Sequence, residues 1–91
     1  MGHVANNRPA LLARVRRLAG QIAAIEKAIA SDAGCADVLH QVAGVRGAVI
    51  GLMDELIEDH LHDHVARPGL DDAERAAAAA DLMTAIRRYA K

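Results

Sequence analysis

Apolar side chains recur along the first third of the chain at Leu11, Val15, Leu18, Ile22, Ile25 and Ile29, with spacings of 4, 3, 4, 3 and 4. That is an unbroken heptad seam, the mark of one face of an α-helix. Asn7 and Pro9 stand at its start and Ser31 to Gly34 at its end, so the pattern predicts a first helix over about residues 8–31. A second segment, about residues 35–66, carries two such series side by side. Val38, Val42, Val45, Val49, Leu52 and Leu56 form one stripe, and Arg46, Ile50, Met53, Ile57, His60 and His64 form the other. A helix with two stripes packs on two sides, once against its own chain and once against something else. Arg67-Pro68-Gly69 then breaks the chain. Asp71 is placed to cap a third helix over about residues 71–89, with Glu74 at N3 in a capping-box arrangement and the Ala76 to Ala80 run supplying helix propensity.

Composition fits this all-α reading. Trp and Phe are absent and Tyr89 is the single aromatic residue, so a core must come from Leu, Ile, Val, Met and Ala packed helix on helix. A chain of 91 residues is one small domain, in the range where association supplies burial that a lone protomer lacks. Cys35 has no partner for an intrachain disulfide, and no charged n-region followed by an apolar h-region opens the sequence. A cytoplasmic protein is the expectation. The apolar stretch from Val38 to Met53 is interrupted by His40, Gln41 and Arg46, so no membrane span is expected.

The net charge of -1 hides an asymmetry. Residues 1–30 carry Arg8, Arg14, Arg16, Arg17 and Lys27 against Glu26 alone. Residues 31–66 carry Asp32, Asp37, Asp54, Glu55, Glu58, Asp59 and Asp63 against Arg46. One end suits a polyanion and the middle suits a cation.

The cation chemistry centres on "EDHLHDH", residues 58–64. At about 100° per residue, His60 and His64 share one helix face while His62 points nearly opposite. An i,i+4 histidine pair is half of a transition-metal site. A solvated helix end is the commoner fate of an isolated pair, so further donors are required. Leu61 stands where a zincin would carry its catalytic Glu, which removes that enzyme class. Cys35, at the start of the second helix, is the next donor. Yet 25 residues of helix separate it from His60, roughly 37 Å at the α-helical rise, so one chain cannot bring both to one ion. Two copies paired antiparallel can, because Cys35 of one then lies opposite His60 and His64 of the other. The crossing point falls near residues 47–50, between Gly47 and Gly51, where a helix without Cβ atoms admits close approach. His3, and the α-amine of Gly2 if Met1 is removed, can complete the set from an N-terminal arm over residues 1–7. His40 and His62 read as solvent-facing.

Arg14, Arg16 and Arg17, with Gln21 a turn further on, flank the first helix's seam and can contact DNA phosphates; Arg46 on the second helix is a further candidate. No helix-turn-helix, zinc-finger or bZIP pattern is present. So few basic residues per chain need several copies to bind a duplex usefully.

The run "CADVLHQVAGVRGAVIGLMDELIEDHLHDHV", with "RVRRLAGQIAAIEKAI" before it, resembles the CsoR/RcnR/FrmR family of metal- and aldehyde-responsive transcriptional repressors. The resemblance covers nearly the whole chain and is weakest after Arg67. It implies a three-helix protomer that forms an antiparallel dimer and then a dimer of dimers, a homotetramer that binds operator DNA. In its nickel/cobalt-sensing branch, the ligand positions correspond here to the N-terminal amine (Gly2), His3, Cys35, His60 and His64. The copper branch has a second cysteine at the position of His64, so the resemblance implies Ni(II) or Co(II), admits Zn(II), and disfavours Cu(I). The formaldehyde-sensing branch typically has Glu at that position and a proline amine at the terminus; Cys35 and a terminal amine keep that reading open. The expected activity is release of operator DNA on Ni(II) or Co(II) binding, controlling metal-efflux genes. A metal-buffering helical oligomer that does not bind DNA is the other alternative, and no triad-like arrangement suggests an enzyme.

Overall fold

The computed structural model describes residues 7–89, and among these it holds three helices and no strand. Helix α1 spans Arg8–Ala30, α2 spans Cys35–His60 and α3 spans Asp72–Tyr89. The all-α class expected from the seam and from the missing aromatics is what forms. The described residues divide into one compact unit over Pro9–Leu52 and another that combines residues 53–89 with Asn7 and Arg8.

The Pro9–Leu52 unit is an antiparallel helical hairpin. Arg14, Arg17 and Gln21, in the first half of α1, face Ala48 of α2, far beyond the turn that joins the helices. That turn is set by backbone chemistry. Ala33 N–H donates to Ala28 O at 2.9 Å and Asp32 N–H to Ile29 O at 3.2 Å, the paired bonds of a Schellman cap. Asp32 occupies the left-handed position at φ 61° that such a cap requires. Asp tolerates that conformation better than most side chains, though less well than glycine. Gly34 O then accepts the first α2 bond, from Val38 N–H at 3.2 Å.

In the second unit, α2 does not continue as an α-helix to residue 66. Leu61–Ala66 form a π-helical turn instead, one residue wider per turn, and this turn packs against α3. Asp63, within that turn, is one of the few buried residues among those described. Pro68 followed by Gly69 at φ 88° closes the connection to α3 in the pattern of a type II turn. Asp71 caps α3 as its position predicts, its Oδ1 accepting from Ala73 N–H at 2.7 Å. Arg75 reaches back to the Arg67 carbonyl oxygen at 3.2 Å and holds the turn against the helix.

Little of the apolar pattern is covered within the protomer. Among the described residues, Leu11 and Leu82 are the buried hydrophobic side chains, whereas Val15, Ile22 and Ile29 of the α1 seam and Val42, Val49 and Ile50 of the α2 stripes stay exposed. Two faces patterned for packing are therefore open in a single copy.

Candidate metal-sensing turn and basic face

His60 closes α2 and His64 lies in the π turn that follows. Their rings are neighbours, with centroids 5.1 Å apart and planes tilted by 45°, and both side chains are half-buried. Two imidazoles bound to one ion, each at about 2.0–2.1 Å, hold their ring centres no more than roughly 6 Å apart, so this separation fits a shared metal. The pair expected from helical phase is thus brought together, on a wider turn than the sequence suggested.

The His60 ring is oriented from α3. Its Nε2 lies 3.0 Å from the carbonyl oxygen of Ala78, and because a carbonyl only accepts, Nε2 is the protonated nitrogen of the neutral ring. Coordination by His60 then falls to Nδ1. A backbone carbonyl in this role is a common way of fixing the tautomer and ring angle of a metal-ligating histidine. His60 also lines a largely apolar cleft of about 230 Å³ with Met53, Ile57, Leu82, Ala85 and the carboxylate-bearing Asp81.

His62 points away, as its phase requires: its side chain is 83% exposed, and its Nδ1 is 3.1 Å from Asp63 Oδ1. Among the described residues, no three His, Cys, Asp or Glu side chains converge on a common point. Cys35 is exposed at the opposite end of α2 and joins neither histidine within the chain. His3 and Gly2 lie outside the described residues. The donor set present is therefore two imidazoles in one turn, complete only with donors from elsewhere.

The basic face is present on α1. Arg16, Arg17 and Gln21 are exposed and Arg14 is half-buried, while Arg46 is exposed on α2. Arg14 leans across to α2, where its Nη1 lies 3.0 Å from the point a Cβ on Gly51 would occupy. Beside Gly44 and Gly47 the corresponding space is open in the protomer. At Gly51 the nearest atom in the protomer is thus the tip of the Arg14 side chain.

Sequence reasoning missed two participants. Ala78 contributes only its carbonyl, which every residue type has. Asn7 was a helix start by its position, yet its Nδ2 donates to Glu55 Oε2 at 3.1 Å and to Asp59 Oδ2 at 2.9 Å. Partners that distant in sequence leave no local signature.

The metal-sensitive transcriptional repressor family model matches residues 7–88, from the Asn7 clamp through the histidine turn to the end of α3. The chain belongs to that family. It is 43% identical over 91 residues, the whole of both chains, to an uncharacterized protein from the bioA 5′ region of Serratia marcescens. It is 41% identical over 75 residues, 82% of each chain, to the transcriptional repressor RcnR of Salmonella arizonae. Among solved structures, it resembles a glutamate-to-histidine variant of the formaldehyde-responsive regulator FrmR of Salmonella enterica serovar Typhimurium. The TM-score is 0.86 at 39% identity, over 92% of this chain and 94% of that one. Metal-sensitive repressors regulate transcription and are not enzymes, so the partner they imply is operator DNA and not a substrate. No helix among the described residues is long and apolar enough to cross a membrane.

Proposed function

We propose that this repressor senses Ni(II) or Co(II), with Zn(II) as a further ligand it can hold, and that metal binding releases it from operator DNA at metal-efflux genes. The observation that carries the reading is the His60 and His64 pair, half-buried on one turn at 5.1 Å between ring centres. Imidazole donors suit nickel, cobalt and zinc, whereas a copper(I) site favours thiolates. The remaining ligands in this reading are Cys35 from a second copy and the N-terminal amine of Gly2 with His3 from the arm. The relative RcnR and the seven acids of residues 31–66 support it.

The assembly that brings Cys35 to the histidines is an antiparallel dimer, doubled into a homotetramer. Its physical support is the pair of apolar faces left open in the protomer. Without metal, Arg14, Arg16 and Arg17 of several copies together face the operator phosphates, with Gln21 and Arg46 at the edge of that surface. Metal binding favours a form with weaker DNA affinity, and linkage requires DNA to weaken metal binding by the same factor.

One observation favours a second reading. Cys35 is exposed, and the solved neighbour is a formaldehyde-responsive regulator. An exposed thiol and a terminal amine are the two nucleophiles an aldehyde cross-link needs. That neighbour carries histidine in place of a glutamate, so likeness to it does not separate the readings.

The deciding experiment titrates Ni(II), Co(II), Zn(II), Cu(I) and formaldehyde separately into the protein bound to the DNA upstream of its own gene. Release by nickel or cobalt at the lowest concentration is expected. Release by formaldehyde alone replaces the first reading with the second.

A further inference from the structure

Gly44, Gly47 and Gly51 interrupt the centre of α2, and each lowers helix stability relative to alanine. In the protomer they are not alike. Nothing lies within 4 Å of a Cβ built on Gly44 or Gly47, whereas one on Gly51 would stand 3.0 Å from Arg14 Nη1 and 4.0 Å from its Cζ. The shorter separation is tighter than ordinary van der Waals contact, so a side chain at 51 would push the guanidinium aside. The tip of Arg14 uses the space that this glycine leaves.

Arg14 differs from its neighbours accordingly. It is half-buried, while Arg16 and Arg17 on the same helix are exposed. With Arg17, Gln21 and Ala48 it surrounds one recess of about 100 Å³ between the two helices of the hairpin. Ala48 and Gly51 are three residues apart, so two of the smallest residues follow one another on the face of α2 that Arg14 meets. A long side chain free in solvent loses rotamer freedom when it binds, and one already laid against a neighbouring helix loses less.

We infer that Gly51 is a positioning residue for operator binding: its missing side chain lets the Arg14 guanidinium rest on α2, beside Arg17 and Gln21, in the place from which it meets a DNA phosphate. Gly51 touches no DNA itself. The inference rests on the reading of Arg14 as a phosphate contact and deepens it, by assigning to the second helix the residue that sets where the contact is made. Other hydrogen bonds of Arg14 are compatible with this seat, because a guanidinium carries several N–H donors and Nη1 supplies only part of them.

A methyl at 51 meets the far end of a flexible side chain and not backbone, so the hairpin itself has no need to shift. Gly51→Ala should therefore keep or raise the denaturation midpoint, through helix propensity, while weakening operator binding. A residue of purely structural value would not move stability and affinity in opposite senses.

The test uses the metal-free full chain, with affinity for the DNA upstream of its own gene measured by fluorescence anisotropy and assembly followed by sedimentation velocity. Gly51→Ala is expected to weaken binding roughly three- to tenfold, the scale of one misaligned hydrogen bond. Gly44→Ala makes the same helix-favouring change where the space is open, and should stay within about twofold of the parent. The deciding variant carries Gly51→Ala together with Arg14→Ala: if the methyl acts through the arginine, this pair binds within about twofold of Arg14→Ala alone. That comparison also holds where the methyl disturbs assembly, because an effect that does not pass through Arg14 persists when the arginine is gone. The inference is overturned by Gly51→Ala binding within about twofold of the parent or more tightly, by an equal loss in Gly44→Ala, or by a loss that persists without Arg14. Arg14→Ala separates this failure from that of the reading beneath it. If Arg14→Ala binds the operator as the parent does, the phosphate contact and its seat fall together. If it binds weakly while Gly51→Ala is silent, only the seat falls.

Discussion

His60 Nε2 stands 3.0 Å from the carbonyl oxygen of Ala78, so the histidine turn is bound to α3 through an acceptor that no side-chain substitution at residue 78 removes. His60 therefore has two tasks in the proposed site, as a ligand and as an anchor to α3. His60→Ala should lose nickel affinity and also destabilise the protein, by about 1 kcal/mol for the missing hydrogen bond. Chemical denaturation at one fixed protomer concentration, in metal-free buffer, compares His60→Ala with the parent; an unchanged midpoint would show that the Ala78 bond contributes nothing.

Gly47 tests the assembly. In the protomer nothing lies within 4 Å of a Cβ built on it, so on its own fold Gly47→Ala should gain about 1 kcal/mol of helix propensity. In an antiparallel pairing that crosses near this residue, the added methyl meets the partner helix. The expected result is a weaker dimer, seen by sedimentation velocity as dissociation at higher protomer concentration than the parent. A stabilised variant with unchanged assembly would move the crossing elsewhere.

Asp32 holds a left-handed backbone at φ 61° in the cap between α1 and α2. Glycine adopts that conformation without the steric cost of a Cβ. Asp32→Gly should accordingly raise the denaturation midpoint, by up to about 1 kcal/mol, against the greater entropy glycine gives the unfolded chain. A lowered midpoint would mean that the carboxylate contributes more than the backbone strain costs.

The arginines of α1 make a prediction about salt. If Arg14 and Arg17 each neutralise a phosphate in the complex, the double replacement Arg14→Ala with Arg17→Ala should weaken operator binding. It should also flatten the dependence of log K on log salt, by about 0.9 for each phosphate no longer neutralised. Anisotropy titrations over a series of salt concentrations read the slope directly. A weakened complex with an unchanged slope would assign these arginines a role in folding or assembly instead of phosphate binding.

How much of this was legible beforehand differs by residue. The α1 seam and the start of α3 could be read because their signals are local: Leu11 to Ile29 repeat at helical spacing, and Asp71 caps the helix that follows it. The phase of His60 against His62 could be read for the same reason, since a helix turns by a nearly constant angle. The widening of Leu61–Ala66 into a π turn could not, because it accompanies packing against α3 and has no composition of its own. That the Arg14 tip reaches Gly51 could not be read either, because the two residues come together only when α1 packs on α2.

By itself the sequence determined which segments are helical, which residue types can hold a transition metal, and that one chain cannot join Cys35 to His60 and His64. Periodicity, donor chemistry and the rise of a helix are properties of the chain alone. Only the tertiary structure decided which nitrogen of His60 is committed, where Arg14 rests, and that Asn7 reaches Glu55 and Asp59. Each depends on a backbone or side-chain atom brought close by folding from a position far away in sequence, and no pattern of neighbours along the chain encodes that distance.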